Sequence, residues 1–208
     1  MDVHPPHEPI HSWRDFFVHL STITVGLLIA LGLENAVESL HHRDIVSEAR
    51  ENIRREIEQN QEAVKEDLTN LDANENGMKA NLAVLRTMEK NPKDTKKHLS
   101  YLFDWSTFNE SAWLSARDSG ALTYMPTDEV QHYADVYDAQ GVVTHEATDI
   151  FISESEDYAP FMMEEDGSLT PQELRGVMRD TAVTYARLQV LRQIVDQLGK
   201  HYAETLKK

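Results

Sequence analysis

The sequence predicts an all-α protein: an N-terminal transmembrane helix that runs into a long helix, followed by an antiparallel helical bundle of about four helices. Two observations lead to this fold class. A run of 18 residues near the N-terminus, residues 16–33, contains no Asp, Glu, Lys or Arg. After it, apolar residues recur at three- and four-residue steps over more than 40 residues, and no segment alternates as a strand would. A chain of 208 residues is long enough to bury a core.

The composition excludes several classes of function. Asp and Glu number 36 against 20 Lys and Arg, a formal net charge of −16. Because so acidic a chain repels phosphate backbones, we expect no nucleic-acid partner. The absence of cysteine excludes disulfides, thiolate zinc sites and cysteine nucleophiles. No phosphate-binding loop, dinucleotide fingerprint or HExxH motif occurs, so the sequence predicts a protein that is not an enzyme and holds no cofactor or metal.

Residues 1–12 form a tail rich in histidine and proline. Three prolines in this stretch prevent a helix, so we expect an extended tail. Its histidines, His4, His7 and His11, have no common helical face on which to gather around a metal. We therefore interpret the tail as solvated or as a partner-binding segment.

Residues 13–40 are predicted to be a transmembrane anchor and juxtamembrane helix. As a helix, the uncharged run spans roughly 27 Å, close to the ~30 Å hydrocarbon core of a bilayer. Trp13 and Arg14 flank one end, and Glu34 and Glu38 mark the other. Two alternatives remain open. One is a buried core helix, and the other is a cleaved signal peptide with its cleavage site at residues 30–32.

One face of the anchor carries small and polar residues at three- and four-residue spacing. The predicted helix-packing face comprises His19, Thr22, Gly26, Ala30 and Glu34. Small residues let a second helix approach closely in the membrane, and the polar ones can hydrogen-bond across the contact. Two interpretations of this face remain open. It either meets lipid only, or it contacts a membrane protein partner or a second copy of the chain.

Residues 41–208 are predicted to form a helical soluble domain that begins with the continuation of the long helix. Its apolar stripe consists of Val46, Ala49, Ile53, Ile57, Asn60, Val64, Leu68, Leu71, Met78, Leu82, Leu85 and Met88. We expect a kink at residues 74–77 and a helix end at Asn91-Pro92.

Aromatic residues are concentrated in the middle of the chain and on the helix that follows. We expect a short helix around Trp113 that Gly120 ends as a C-cap. The candidate core or partner aromatics are Trp105, Phe108, Trp113, Tyr133 and Tyr137. Among these, we expect Trp113 to be buried against the long helix.

Two helix-start signals follow. Pro126 and Thr127, with Thr127 as N-cap, precede two acids and predict one helix. Thr170, Pro171 and Glu173 form a capping box with proline at the first helical position, which predicts the last helix. The residues expected to be buried on that last helix are Val177, Ala182 or Tyr185, Leu188, Leu191, Val195 and Leu198.

Charge is unevenly distributed in the second half of the chain. Residues 118–173 contain 14 acids and no Lys or Arg, whereas residues 175–208 contain seven basic residues. The acidic helix can be neutralised internally by the basic terminal helix, or part of its surface can face a cationic partner or divalent ions. The loop at residues 164–173 resembles half of a calcium-binding loop, but Met162 occupies its first ligand position.

The stretch WRDFFVHLSTITVGLLIALGLENAVESLHHRDIVSEARENIRREI, residues 13–57, resembles the start of uncharacterised bacterial single-span membrane proteins. Residues 113–137 resemble the middle of the same proteins. The resemblance implies a VGLLIAL anchor in the bacterial inner membrane and an all-helical extracytoplasmic domain, and it implies no activity. Basic residues near the span, Arg14 before it and Arg43 and Arg50 after it, favour the opposite orientation by a single charge. We expect the extracytoplasmic orientation.

These observations together predict a non-catalytic accessory or scaffolding subunit of a larger membrane protein assembly. Its expected partners are the lipid bilayer and either a membrane protein or a second copy of the chain, bound through the anchor. The alternative is an extracytoplasmic sensory or ligand-binding helical domain. That function needs a separate signalling partner, because few residues precede the anchor.

Overall fold

The computed structural model describes residues 12–91, 99–101, 103–163 and 169–207. It contains four α-helices, which are α1 (Trp13–Lys90), α2 (Ser111–Asp118), α3 (Thr127–Met163) and α4 (Pro171–Thr205), with a 3-10 turn at Ala121–Tyr124. No strand occurs among these described residues. The predicted all-α class is therefore confirmed. The chain divides into two compact units, Met1–Glu48 and Ala49–Lys208.

The described part of the first unit is the N-terminal portion of α1. Every side chain from Trp13 to His41 is exposed. An 18-residue window of α1 has a mean hydropathy of 2.1 and no buried residue, and within the described ranges α1 alone is long and apolar enough to cross a membrane. The described residues of this chain do not bury this window, as the alternative of a core helix would require. Residues 1–11, which carry most of the predicted tail, lie outside the described residues.

The second unit is built around the apolar stripe of α1. The stripe residues buried in this unit are Ala49, Ile53, Ile57, Asn60, Val64, Leu71, Met78, Leu82 and Leu85. The helix is continuous through the predicted kink at residues 74–77 and ends at Lys90, directly before Asn91-Pro92. The 3.6-residue period of the sequence therefore identified the buried face of α1 correctly.

Contacts between α1 and α3 show that these two helices run in the same direction. Glu56 of α1 bonds to Tyr137 of α3, and one turn further on Asn60 bonds to Gln140. The chain between them must return along the bundle. A parallel pair of neighbouring helices thus requires a long connection, which residues 91–126 supply.

α4 runs antiparallel to both other long helices. Along α4, contacts with α1 move from Arg192 at Glu75 to Gly199 at Val64. A Cβ added at Gly199 would lie 3.0 Å from Val64 Cγ1, so glycine permits the close approach of α1 and α4 at this level. At the other end of α4, Leu174 packs in a cluster with Leu85 and Val177.

The predicted signals at the end of α2 and at the starts of α3 and α4 agree with the structure to within two residues. α2 ends at Asp118 with Ser119 as its C-cap, and Gly120 follows in a left-handed conformation with φ of 78°, the position where a glycine commonly ends a helix. Thr127 is the first residue of α3. The capping box at the start of α4 is formed, because Glu173 N–H donates to Thr170 Oγ1 and Thr170 N–H donates to Glu173 Oε2.

One prediction for the interior of α4 is wrong. Ala182 is exposed and Tyr185 is only half-buried, whereas Thr181 and Thr184 are fully buried. The other expected residues of α4 are buried. Polar threonines occupy the core here because they face polar groups on α3 and on the connection between α1 and α2.

Candidate functional site

The predicted packing face of the anchor lies along one side of α1 in the first unit. His19, Thr22, Gly26, Ala30 and Glu34 are all exposed. Thr22 Oγ1 donates to the Val18 carbonyl at 2.8 Å, so its hydroxyl is satisfied within the helix. A Cβ added at Gly26 would meet no atom within 4 Å. This side of the helix is therefore open to a lipid or to a second helix.

The candidate aromatics form two groups in the second unit. Trp113 stacks on Tyr137 with centroids 5.4 Å apart and lies 6.5 Å from Tyr133, both on α3. Trp105 contacts Phe108 at 5.8 Å in an edge-on arrangement. Tyr137 is buried and the other four are half-buried. Trp113 thus differs from expectation, because it is only half-buried and its ring partners belong to α3.

An extended segment, which we call the strap, lies along α1. It comprises residues 99–101 and 103–110. Asn81 Oδ1 accepts from Ser100 N–H at 2.9 Å, and its Nδ2 donates to the Ser100 carbonyl at 2.7 Å. Asn60 holds the backbone of Asn109 in the same way, at 2.9 and 2.7 Å. Each asparagine therefore replaces the backbone pairing that a neighbouring strand would provide.

Two further residues of α1 bind the strap between these asparagines. Asp67 Oδ1 accepts from Ser106 N–H at 2.7 Å, and Asn74 Nδ2 lies 3.5 Å from the Asp104 carbonyl oxygen. The four helix positions, residues 60, 67, 74 and 81, are seven residues apart. All four of these side chains are buried. We call this row the polar ladder.

The spacing of the polar ladder fits the geometry of the two chains it joins. From Asn60 to Asn81 the helix rises about 31 Å, and from Asn109 back to Ser100 a fully extended chain covers about 31 Å. The four helix positions contact strap residues 109, 106, 104 and 100, so steps of three, two and four strap residues, three on average, accompany each seven residues of the helix. Sequence reasoning placed Asn60 within an apolar stripe and missed the polar ladder. The signal was present as Asn or Asp at every seventh position of that stripe.

Asp67 is the one acidic residue of the polar ladder. It has no exposed surface, and its Oδ2 has no hydrogen-bond partner among the described residues. Burial raises the pKa of Asp67 from 3.8 to about 6, while the Ser106 hydrogen bond opposes the rise. Because the folded state then binds the proton more tightly than the unfolded state, stability falls as the pH rises from about 4 to above about 6.

A buried hydrogen-bond network joins the three long helices at the strap's end. Tyr137 Oη donates to Glu56 Oε1 at 2.7 Å, and Glu56 Oε2 accepts from Ala112 N–H at 2.8 Å. Burial raises the pKa of Tyr137 above its usual value, so the phenol remains a donor. Tyr202 Oη of α4 donates to Gln140 Oε1 at 2.6 Å. These contacts fix the relative register of α1, α2, α3 and α4.

Part of the acidic charge on α3 is neutralised within the chain. Arg50 of α1 makes a two-point contact with Glu129, with both nitrogen–oxygen distances at 2.6 Å. Arg187 of α4 binds Glu146 at 2.9 Å and Asp149 at 3.3 Å. These contacts support internal neutralisation of the acidic segment. Residues 164–168 of the loop that resembles half a calcium site lie outside the described residues.

A shallow groove lies between α1 and α4 in the second unit. Leu68, Thr69, Asp72, Arg192, Gln193 and Asp196 line it. Arg192 donates to Glu75 and Asp72, both at 2.6 Å, so its guanidinium is engaged by α1. The groove therefore works as a helix–helix contact of the second unit. No protein family, curated protein or solved structure is significantly similar to this chain.

Proposed function

We propose that the protein is a non-catalytic accessory or scaffolding subunit of a larger membrane protein assembly. In this proposal residues 16–33 anchor it in the bacterial inner membrane, and residues 41–208 form a helical domain on the extracytoplasmic side. The observation that carries the proposal is an apolar helical window of 18 residues without a single buried side chain. An apolar surface of this size, uncovered by its own chain, is stable when lipid or another membrane helix covers it.

The first test separates an anchor from a cleaved signal peptide. The full chain is expressed in bacteria, and the membrane fraction is washed with alkaline carbonate. We expect the intact chain to remain in the membranes and its mass to include residues 1–40. A protein shortened by cleavage near residues 30–32, or one released by the wash, would contradict the anchor.

The second test measures orientation with single cysteines, since the chain has none of its own. Ser155 and Ser12 are both exposed. We expect Ser155→Cys to react with a membrane-impermeant thiol reagent in spheroplasts, and Ser12→Cys to react only after the membrane is permeabilised. The reverse labelling pattern would place the helical domain in the cytoplasm and refute the proposed orientation.

The third test concerns the assembly itself. Extraction in a gentle detergent, followed by size measurement, should give a particle larger than one chain with its micelle. Mass spectrometry of that particle identifies either another membrane protein or a second copy of the chain. A monodisperse monomer in several mild detergents, with no crosslinked product in membranes, would refute the subunit proposal.

A further inference from the structure

The middle of the solvent-facing side of α4 carries no charge. Its exposed residues from position 182 to position 193 are Ala182, Val183, Ala186, Gln189, Val190 and Gln193. The stretch of α1 at residues 58–69 has the same order of buried and exposed positions, but most of its exposed residues are charged, namely Glu58, Glu62, Lys65 and Glu66. Because the core of a protein interface is depleted in charged residues, this face of α4 has the composition of a surface that another protein covers.

Five exposed residues of α4 form one row along this face, which we call the valine stripe. They follow one another at steps of four and three residues, and they are Val183, Ala186, Val190, Gln193 and Gln197. Val183 is 54% exposed and Val190 is 52% exposed. At about 100° per residue, the stripe points away from Leu188 and Leu191, which are buried in the core. The stripe is about 21 Å long and repeats as the a and d positions of a coiled coil do.

The composition of the valine stripe favours a second, parallel copy of α4 as the partner. In a parallel pair each residue of the stripe meets the same residue of the other copy, so valine packs on valine at positions 183 and 190. β-Branched residues at the a positions favour two parallel strands in coiled coils. The glutamines at positions 193 and 197 can hydrogen-bond to their counterparts across the contact.

Charged residues beside the valine stripe are complementary in the same arrangement. With valine at a, the g positions include Arg175 and Asp196, and the e positions include Asp180 and His201. In a parallel pair a g residue lies opposite the next e residue of the other helix. Arg175 of one copy therefore lies opposite Asp180 of the other copy. Asp196 lies opposite His201 in the same way, so opposite charges flank the stripe at both ends when His201 is protonated.

The residues that continue the valine stripe at its two ends are basic, and each has an acid beside it on α4. Arg179 Nε donates to Asp180 Oδ1 at 2.8 Å, and Lys200 Nζ donates to Asp196 Oδ2 at 2.6 Å. Because a carboxylate neutralises each cation, repulsion between like residues of two parallel copies is reduced at both ends. The uncharged stripe between them is left as the surface of contact.

We propose that two copies of the chain associate through the valine stripe, with their α4 helices side by side and parallel. This interface is separate from the packing face of the anchor and does not rest on the proposed function. One helix pair of this length buries less area than a standard protein interface, so the pairing is weak at high dilution. Confinement of both copies to one membrane would raise their effective concentration and strengthen it.

Single cysteines test the pairing, because the chain contains none of its own. The full chain is oxidised with copper phenanthroline in isolated membranes, or in the soluble fraction if membranes do not retain it, so this proposal and the anchor can fail separately. Val183→Cys and Val190→Cys should each give a disulfide-linked dimer. Gln59→Cys is the matched control, since Gln59 is exposed on α1 in the same local pattern, and it should not be linked.

Three outcomes of this experiment would overturn the proposal. Equal linking of Gln59→Cys and Val190→Cys would indicate random collision. Linking of Val183→Cys chains to Gln193→Cys chains, with neither variant linking to itself, would indicate an antiparallel pair. Loss of the Val190→Cys link when Gly26→Leu is added would show that the anchor, and not the valine stripe, brings the copies together.

A double substitution tests whether the valines drive the contact. With Gln197→Cys as the reporter, Val183→Glu combined with Val190→Glu should lower the dimer yield about tenfold or more, because the added carboxylates lose water at the contact. Ala73→Glu combined with Ala80→Glu, on the exposed face of α1, should leave the yield unchanged. All four positions are exposed, so both double variants should fold, which circular dichroism checks. An undiminished yield in the valine variant would refute the proposal.

Discussion

Replacing Asp67 by asparagine should stabilise the protein, although it removes a buried hydrogen-bonding carboxylate. Asn60 and Asn81 each accept from a strap N–H and donate to the carbonyl of the same residue, whereas Asp67 only accepts from Ser106 N–H. An amide at position 67 can complete this two-point contact. It also eliminates a buried charge.

The magnitude follows from the environment of Asp67. Raising a carboxyl pKa from 3.8 to about 6 corresponds to about 3 kcal/mol of destabilisation of the ionised form. One added hydrogen bond contributes about 1 kcal/mol. Because water penetration and relaxation reduce the first figure, we expect Asp67→Asn to raise the free energy of unfolding by about 2–3 kcal/mol at pH 8. The gain should shrink below about pH 5, where Asp67 itself is protonated.

Urea unfolding of the full chain at both pH values measures this difference. Hydrogen exchange of the Ser106 amide should slow in the variant. The reciprocal change, Asn81→Asp, places a carboxylate where Ser100 now has a two-point contact, and it should destabilise by about 2–4 kcal/mol at pH 8. A destabilised Asp67→Asn, or a stabilisation that does not depend on pH, would refute the account of the polar ladder.

Three further predictions address the other sites. Tyr137→Phe should cost about 2 kcal/mol, because Glu56 loses one of its two buried donors; unchanged urea unfolding would show that the pair contributes nothing. Trp113→Ala should cost about 2–3 kcal/mol, less than a fully buried tryptophan, and an unchanged melting temperature would point to a partner surface instead. Gly26→Leu should abolish crosslinking or copurification through the anchor, whereas Leu28→Ile should not. A leucine at position 26 meets no atom of the chain itself, so it would disturb only a helix packed against this face. Identical behaviour of the two variants would mean that this face meets lipid.

Much of the fold could be predicted, because the spacing of apolar residues and the residues that cap helices act locally along the chain. The apolar period identified the buried face of α1, and the capping box at Thr170 located the start of α4. The strap could not be predicted in the same way, because its residues are held by side chains up to 49 positions away, as Asn109 is by Asn60. Thr181 was overlooked for a related reason, since a polar residue belongs in a core only if the opposite element is also polar.

Candidate functional residues were harder to predict than the fold. The packing face of the anchor follows from spacing alone, and the structure adds that this face is open in the chain. No recognisable motif marks the buried carboxyls Glu154 and Asp157 of α3. Acidic residues are so common on α3 that only their burial distinguishes Glu154 and Asp157 from their neighbours.

The match between the polar ladder and the strap restricts how the length of this chain can vary among related genes. A deletion of one codon between Ser106 and Asn109 would move one of these two amides away from its partner on α1, because Asp67 and Asn60 hold both of them at fixed positions. The change that preserves pairing removes one whole interval from both segments, such as the seven helix residues from Asn60 to Asp67 together with the three strap residues from Asn109 to Ser106. Homologous proteins should therefore differ in length by these paired steps, or carry their insertions outside both segments, and an alignment of such genes would show correlated gaps.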